Sequence, residues 1–171
     1  ELKLGRQAFV VCPLIEESTV MELKAAVTVF ESIKERFPKF NACLIHGKLR
    51  KEERQEIMSR FLSKEIQILV STTVIEVGID IPNATVMIIE HAERFGLAQL
   101  HQLRGRVGRG MHASHCLLAA YFPVSEEGKA RMKAMQNSRD GFEIAEEDLK
   151  IRGPGDFMGT RQSGIPVLKI A

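Results

Sequence analysis

The chain has 171 residues, of which 44% are hydrophobic and 27% are charged, and its net charge is +2. These values are typical of one globular domain with a small appendage, and the charge is too low to indicate a nucleic-acid partner by itself. We expect a cytoplasmic protein, because no apolar run approaches the roughly 20 residues that span a bilayer and no signal peptide is recognisable. Cys12, Cys43 and Cys116 show neither metal-ligand spacing nor a disulfide framework, so we expect them to be reduced core residues.

Short apolar runs alternate with helical periodicity through the first 122 residues. The apolar runs predict strands at 8–12, 42–45, 66–70, 84–89 and 116–121. Apolar residues at helical spacing predict helices at 20–37, 50–62 and 97–107. Because the strands are apolar without alternation, we expect both faces of the sheet to be buried. The fold class is therefore α/β, a parallel sheet with helices on both faces over residues 1–122.

The pattern changes after Pro123. Charged segments at 125–138 and 142–149 predict two short helices within residues 123–150. The segment RGPGDFMGTRQSG is rich in turn-forming residues and has little hydrophobic periodicity. Residues 151–171 are therefore predicted to be a loop and tail, with a defined shape or with none.

The strongest local signal for chemistry is a cluster of three arginines. Arg104, Arg106 and Arg109 lie together in the stretch QLRGRVGR. If a helix ends just before them, Gly105 and Gly108 make a tight turn that projects the arginines. A guanidinium is a permanent cation suited to phosphate, and it stabilises the charge that develops on a transferring γ-phosphoryl group. The alternative is a solvated basic helix end that contacts any polyanion.

A second signal, STTVIEVGIDIP, follows the third predicted strand directly. Ligands bind at the carboxyl ends of strands in open α/β sheets. Thr72 and Thr73 could donate hydrogen bonds to phosphate, Gly78 allows a close backbone approach, and Asp80 could accept from a ribose hydroxyl. The alternative is that one of the threonines caps a short helix.

Two further observations limit the interpretation. His46 and Gly47 end the second predicted strand, where they could meet a phosphate backbone or have a structural role. The sequence contains neither the phosphate-binding loop GxxxxGK[ST] nor an acidic pair placed to hold magnesium. The residues therefore predict at most half of an ATP site, completed by another lobe.

The motifs resemble those of superfamily-two helicases. QLRGRVGR at 102–109 is similar to their last motif, and STTVIEVGIDIPNA at 71–84 is similar to their fifth. QAFVVCPLIEES at 7–18 and LIHGKL at 44–49 resemble the start of their second lobe. RGPGDFMGTRQSG at 152–164 resembles the translocation motif of the RecG family of branch-migration DNA helicases. The matches follow one another in order over nearly the whole chain.

The resemblance implies a RecA-like lobe that closes over ATP held between two lobes. Arg106 and Arg109 would be catalytic fingers that reach the γ-phosphate, and Gln102 would help sense the nucleotide. Gly78 and Asp80 would lie near the ribose. ATP and Mg²⁺ would be held mainly by a first lobe, so we expect this chain to be inactive alone.

The resemblance also assigns residues to DNA. His46, Gly47, Thr72 and Thr73 would contact the DNA backbone, where phosphate contacts carry no base identity.

The resemblance also implies that the two helices over residues 123–150 form a helical hairpin, and that the loop after it passes back towards the motor. Four residues at the end of the chain would couple cleft closure to movement on duplex DNA: Arg152, Asp156, Arg161 and Gln162. Such coupling requires contacts that differ between the two states of the cleft.

The implied protein is a monomeric ATP-dependent DNA helicase that drives branch migration of forked and four-way DNA in replication restart, recombination and repair. A first RecA-like lobe and a wedge domain would precede Glu1, and no membrane is involved. One alternative is the transcription-repair coupling factor, but that family usually has Ala and Asn where this chain has Pro154 and Asp156. Another is a non-catalytic module that binds nucleic acid through the arginine cluster.

Overall fold

The computed structural model describes residues 1–13, 19–72 and 81–152. Within these ranges the secondary structure follows the predicted order, with bounds that shift by a few residues. The strands are β1 (Gln7–Cys12), β2 (Ala42–Ile45), β3 (Ile68–Thr72), β4 (Ala84–Ile89) and β5 (His115–Leu118). The α-helices are α1 (Thr19–Arg36), α2 (Lys51–Leu62), α3 (Leu97–Arg104), α4 (Glu126–Asn137) and α5 (Gly141–Arg152).

The five strands form one sheet in the order β2-β3-β1-β4-β5, and every neighbouring pair is parallel. The predicted parallel α/β sheet is therefore confirmed. The strands all point the same way, so the sheet has one amino edge, where strands begin, and one carboxyl edge, where they end. These two edges locate the candidate site residues.

Hydrophobic clusters cover both faces of the sheet. Phe9 and Val11 of β1 point into a larger cluster that includes residues of α2, α3, α4 and α5, whereas Val10 and Cys12 point into a smaller cluster with α1. The expectation of a sheet buried on both faces holds at its centre. It is wrong for the edge strand β5, where Leu117 is 53% exposed.

The last two helices pack on the sheet domain and share its core. Met135 of α4 and Ile144 of α5 are buried in the larger cluster. Ser125 begins α4 by accepting a hydrogen bond from the backbone N–H of Gly128 at 3.1 Å, as an N-cap serine does. The two predicted helices are thus confirmed, and the division of the chain at residue 122 stays a prediction. None of the helices in the described ranges is long and apolar enough to cross a membrane.

Two buried polar side chains in the strands differ in how they are satisfied. Gln7 donates from Nε2 to the carbonyl oxygens of Phe61 and Ile66, at 2.5 and 2.7 Å, and accepts from Asn83 Nδ2 at 2.9 Å. Ser71 is 1% exposed, and its hydroxyl finds no hydrogen-bond partner in the described part of the chain. Gln7 therefore joins three segments, whereas the Ser71 hydroxyl carries a desolvation cost without a bond.

We predict opposite effects when these two side chains are made apolar. Gln7→Leu removes a donor from the Ile66 carbonyl and one of the two donors from the Phe61 carbonyl, which the N–H of Lys64 also reaches, and should lower the free energy of unfolding by about 1–3 kcal/mol. Ser71→Ala removes an unsatisfied hydroxyl and should leave stability unchanged or raise it by up to about 1 kcal/mol. Urea denaturation of both variants measures the difference. An equal loss in the two variants would contradict the assignment for Ser71.

Candidate functional site

The predicted arginines lie at the end of α3 and in the turn after it, residues 105–110, which we call the arginine turn. The N–H of Gly105 donates to the carbonyl of His101 and that of Arg106 to the carbonyl of Leu103, both at 3.0 Å. Gly105 has ordinary helical angles, with φ −68° and ψ −3°, whereas Gly108 has φ 80°. The predicted turn is present, but only Gly108 requires a left-handed conformation.

Two glycines let the arginine turn approach the rest of the fold very closely. A Cβ atom on Gly108 would collide with the hydroxyl of Ser114, just before β5. A Cβ atom on Gly110 would lie 2.6 Å from the carbonyl oxygen of Pro82, just before β4. The arginine turn is therefore held against the segments that lead into β4 and β5, at the amino edge of the sheet.

The three predicted catalytic side chains share this region. Arg106 is half-buried, and Arg109 and Gln102 are exposed. The Nε of Arg109 donates to the carbonyl of Gly105 at 2.8 Å, and this bond restrains the side chain as far as Nε. Gln102 lies near the end of α3, which stops at Arg104, just before the arginine turn. The chain thus brings two guanidinium groups and one amide to a single corner of the domain.

Arg104 has a different environment from the other two arginines. Its Nη1 donates to the carbonyls of Met135 and Ser138, at 2.8 and 2.6 Å, and its Nη2 lies 3.1 Å from Nδ1 of His101. Burial lowers the pKa of the Arg104 guanidinium, although an arginine stays charged at any working pH. The expectation that Arg104 projects from the turn with the other two arginines is therefore wrong, because its guanidinium is bonded to carbonyls at the end of α4.

The predicted nucleic-acid residues lie at the opposite, carboxyl edge. Thr72 is the last residue of β3 and pairs in register with Cys12 of β1, while Ile45 of β2 pairs with Ser71. His46 follows Ile45 directly, so it adjoins Thr72, and Gly47 continues into an exposed turn. The sheet thus brings the ends of three neighbouring strands together, as expected for a ligand edge.

The imidazole of His46 is partly enclosed and lacks a partner for one nitrogen. Its Nδ1 is buried and has no hydrogen-bond partner among the described residues. Burial lowers the pKa of His46 below its usual range, and the nearby positive charge of Lys48 lowers it further. The side chain is therefore neutral near pH 7.

Several predicted site residues lie outside the described residues: Thr73, Gly78, Asp80, Asp156, Arg161 and Gln162. Arg152 is the last residue of α5.

A polar cluster that was not singled out in the sequence lies at the carboxyl end of β4. Tyr121 donates from its hydroxyl to Glu90 at 2.7 Å, and its ring centroid lies 4.3 Å from that of His91. His91 has φ 52° and places Nδ1 3.0 Å from a carboxylate oxygen of Glu93. Nη2 of Arg131, on α4, donates to the backbone carbonyl of Glu93 at 2.9 Å. The sequence feature that could have indicated this cluster is the acid-rich stretch IEHAER at the end of the fourth apolar run.

Comparison with known families agrees with the placement of these motifs. Residues 1–111 match the helicase conserved C-terminal domain. The chain belongs to this helicase family. Residues 138–171 match the C-terminal part of domain 3 of the ATP-dependent DNA helicase RecG. The expected resemblance to RecG helicases is therefore confirmed.

Individual relatives give the same result. The chain is 55% identical to the ATP-dependent DNA helicase RecG of Bacillus subtilis, with all of the chain and 25% of that protein covered. It is 53% identical to RecG of Escherichia coli K12, with 98% of the chain and 24% of that protein covered. The chain thus spans about a quarter of the length of the curated relatives that it matches.

Solved structures confirm the RecA-like fold. A structure of RecG bound to a three-way DNA junction superposes with a TM-score of 0.74 at 49% identity, covering 91% of this chain and 20% of that one. The Mycobacterium smegmatis helicase Lhr, bound to single-stranded DNA and AMP-PNP, shares the fold at 23% identity with a TM-score of 0.61. That match covers 79% of this chain and 18% of the Lhr chain.

We predict that the two glycines around Arg106 respond differently to alanine. Gly108→Ala forces a left-handed alanine against Ser114 and should lower the free energy of unfolding by at least about 1–2 kcal/mol. Gly105→Ala is the matched control, because its backbone is already helical and a Cβ atom would meet its nearest neighbours at 3.5 Å. Thermal unfolding measures both variants, and equal losses would contradict this description of the turn.

We also predict a pH-dependent contribution of His46 to stability. The pKa of His46 is lowered in the folded chain, so below about pH 6.5 the unfolded chain binds a proton that the folded chain resists. The contribution is present above that pH and is lost as the pH falls. In urea denaturation from about pH 8 to pH 5, wild type should therefore lose more stability than His46→Gln. The same substitution at the exposed His115 is the control, and parallel pH profiles for wild type and His46→Gln would refute the prediction.

Proposed function

We propose that the chain is the second motor lobe of an ATP-dependent DNA helicase that drives branch migration of forked and four-way DNA. The observation that carries the proposal is the arginine turn, which presents Arg106 and Arg109 from a backbone clamped by Gly108 and Gly110. The similarity to RecG helicases over the whole chain supports the same function.

The arginine turn suits the recognition of a polyphosphate that another lobe holds. Arg106 and Arg109 would contact the γ-phosphate and stabilise the negative charge that develops as the phosphoryl group is transferred. Gln102, near the end of α3, would report whether the nucleotide is present. ATP supplies the phosphoryl group and Mg²⁺ offsets its charge, and we expect the first lobe to hold both. Gly78 and Asp80 remain candidates for the ribose side.

The carboxyl edge suits a DNA backbone. Thr72 ends β3 beside His46, and both can donate a hydrogen bond to a phosphate oxygen without reading a base. Gly47 and Thr73 complete the proposed track. A related RecG has been captured on a three-way DNA junction, and we propose branched DNA as the partner here.

The segment after α5 is proposed to couple the two activities. Arg152, Asp156, Arg161 and Gln162 keep the coupling role that the resemblance implies. The remainder of the longer protein would supply the first lobe and a wedge domain, and it would function as a monomer.

The arginines also distinguish the alternatives. The transcription-repair coupling factor gains no support from the comparisons, because the matching relatives are RecG helicases. A nucleic-acid-binding module that does not hydrolyse ATP would need the arginines only for affinity. Hydrolysis is therefore the measurement that separates a motor lobe from a binding module.

We predict that Arg109→Ala in the full-length protein abolishes DNA-stimulated ATP hydrolysis. A finger of this kind contributes about 10³–10⁵ in rate, so a loss of at least about 10³-fold is expected. Arg36→Ala is the matched control, since it removes an exposed arginine at the end of α1. Initial rates of phosphate release with saturating forked DNA measure both. Normal hydrolysis by Arg109→Ala would contradict the finger role, and unchanged hydrolysis with weaker DNA binding would favour the binding module.

A further inference from the structure

Three ring-bearing side chains form a surface at the carboxyl edge of the sheet, beyond the ends of β4 and β5. The ring of Tyr121 lies against that of His91, with centroids 4.3 Å apart and planes inclined by 33°. Phe122 follows Tyr121 in the chain and is 89% exposed, whereas Tyr121 is 50% exposed. We call His91, Tyr121 and Phe122 the aromatic platform. Most of the Phe122 ring and half of the Tyr121 side chain face solvent.

The aromatic platform is held in place by hydrogen bonds to the end of β4 and the segment after it. The N–H of Ala119, just after β5, donates to the carbonyl of Ile89 at 2.9 Å. The hydroxyl of Tyr121 donates to the carboxylate of Glu90 at 2.7 Å, and its backbone N–H donates to that of Glu93 at 3.3 Å. A surface that is already ordered loses little conformational entropy when it binds a ligand.

The chemistry of the aromatic platform favours a nucleic-acid base over a phosphate. Two carboxylates, those of Glu90 and Glu93, border it, and like charges placed together oppose the binding of a phosphate. A base carries no charge, and every base has a π face that stacks on an aromatic ring regardless of sequence. The aromatic platform therefore suits a base and does not suit the sugar–phosphate backbone.

The aromatic platform shares its edge with the residues proposed to contact the DNA backbone, His46 and Thr72. In the strand order β2-β3-β1-β4-β5, the ends of β3 and β5 are three strand spacings apart. At about 4.8 Å per spacing this separation is roughly 14 Å, which a few nucleotides of one strand can span. A base inside a continuous duplex is stacked and paired, whereas an unpaired base reaches a protein surface at little cost. The base in question is therefore an unpaired one.

We propose that the aromatic platform stacks on an unpaired base of branched DNA, close to the junction. The inference rests on the proposed function, which supplies the branched DNA and the backbone contacts at His46 and Thr72. Stacking would add affinity for a fork over a continuous duplex, because only the fork offers an unpaired base. It would also keep one nucleotide from pairing again while the neighbouring backbone is held.

The test uses the full-length protein and a forked DNA in which each nucleotide near the junction is replaced in turn by an abasic site. Phe122→Ala removes the ring, Phe122→Leu keeps an apolar side chain without a π face, and Phe122→Trp enlarges the π face. Phe142→Ala is the matched control, because Phe142 is 86% exposed and lies in the first turn of α5. Fluorescence anisotropy measures affinity for the forks and for a continuous duplex at several salt concentrations. Thermal unfolding shows whether each variant is folded.

Phe122→Ala and Phe122→Leu should each weaken binding to the intact fork by about fivefold or more, which is the effect of losing one base–aromatic stack. Phe122→Trp and Phe142→Ala should bind the fork like wild type. The loss should disappear for a fork that is abasic at one particular position, because the base and the side chain then no longer interact. The dependence of affinity on salt should stay unchanged, since no phosphate contact is removed. If Phe122→Ala does not fold, Phe122→Leu and Phe122→Trp carry the comparison.

Several results would overturn the proposal. If Phe122→Leu binds the fork like wild type and Phe122→Ala does not, the aromatic platform packs on an apolar protein surface. An equal loss for the intact fork, every abasic fork and the duplex would show a structural role alone, and an unchanged affinity in all variants would show that the surface does not meet DNA. A failure of the proposed function is different, because the wild-type protein would then show no DNA-stimulated hydrolysis of ATP.

Discussion

The close approach of one short turn to the amino edge of the sheet is the constraint on which the candidate site depends. Gly108 and Gly110 meet Ser114 and Pro82 at distances that a side chain would prevent. The backbone from which Arg106 and Arg109 project is therefore fixed by close packing, and a hydrogen bond from Nε of Arg109 to the carbonyl of Gly105 restrains that side chain. Electrostatic stabilisation of a transition state requires such preorganisation, because a cation that must first be oriented loses part of its effect to reorganisation. The buried sheet supplies the rigid support, since β4 and β1 are packed on both faces.

The parallel sheet also separates the two proposed sites. The arginine turn lies where β4 and β5 begin, whereas His46 and Thr72 lie where β2 and β3 end. A domain with this arrangement can meet a nucleotide at one edge and a nucleic acid at the other without the two ligands competing for the same groups. Communication between the edges must then pass through the body of the domain. The helices α3, α4 and α5 form a continuous packed route beside the sheet.

Much of this arrangement could be predicted from the sequence, because it depends on local patterns. Apolar runs located all five strands, and the glycine-arginine spacing located the turn. The different environments of Arg104, Arg106 and Arg109 could not be predicted, because they depend on which backbone carbonyls lie near each arginine in space. Arg104 and Arg106 are two residues apart, yet the Arg104 guanidinium donates to carbonyls at the end of α4, whereas Arg106 belongs to the arginine turn. The exposure of β5 was missed for a similar reason, since the apolar run at 116–121 gives no sign of its place in the sheet and only the strand order makes it an edge.

The neutral imidazole of His46 has a consequence for how a DNA strand would be held at the carboxyl edge. A ring that stays neutral beside a phosphate would bind it as a dipole, as the Thr72 hydroxyl would, and neither would displace condensed counterions from the DNA. Contacts of this kind add little to the dependence of DNA affinity on ionic strength. That dependence would come instead from lysines and arginines elsewhere on the protein. Neutral contacts can also be broken and re-formed at successive phosphates without separating an ion pair. Neutral contacts of this kind therefore suit the proposed motor, which would have to release the DNA backbone as often as it binds it.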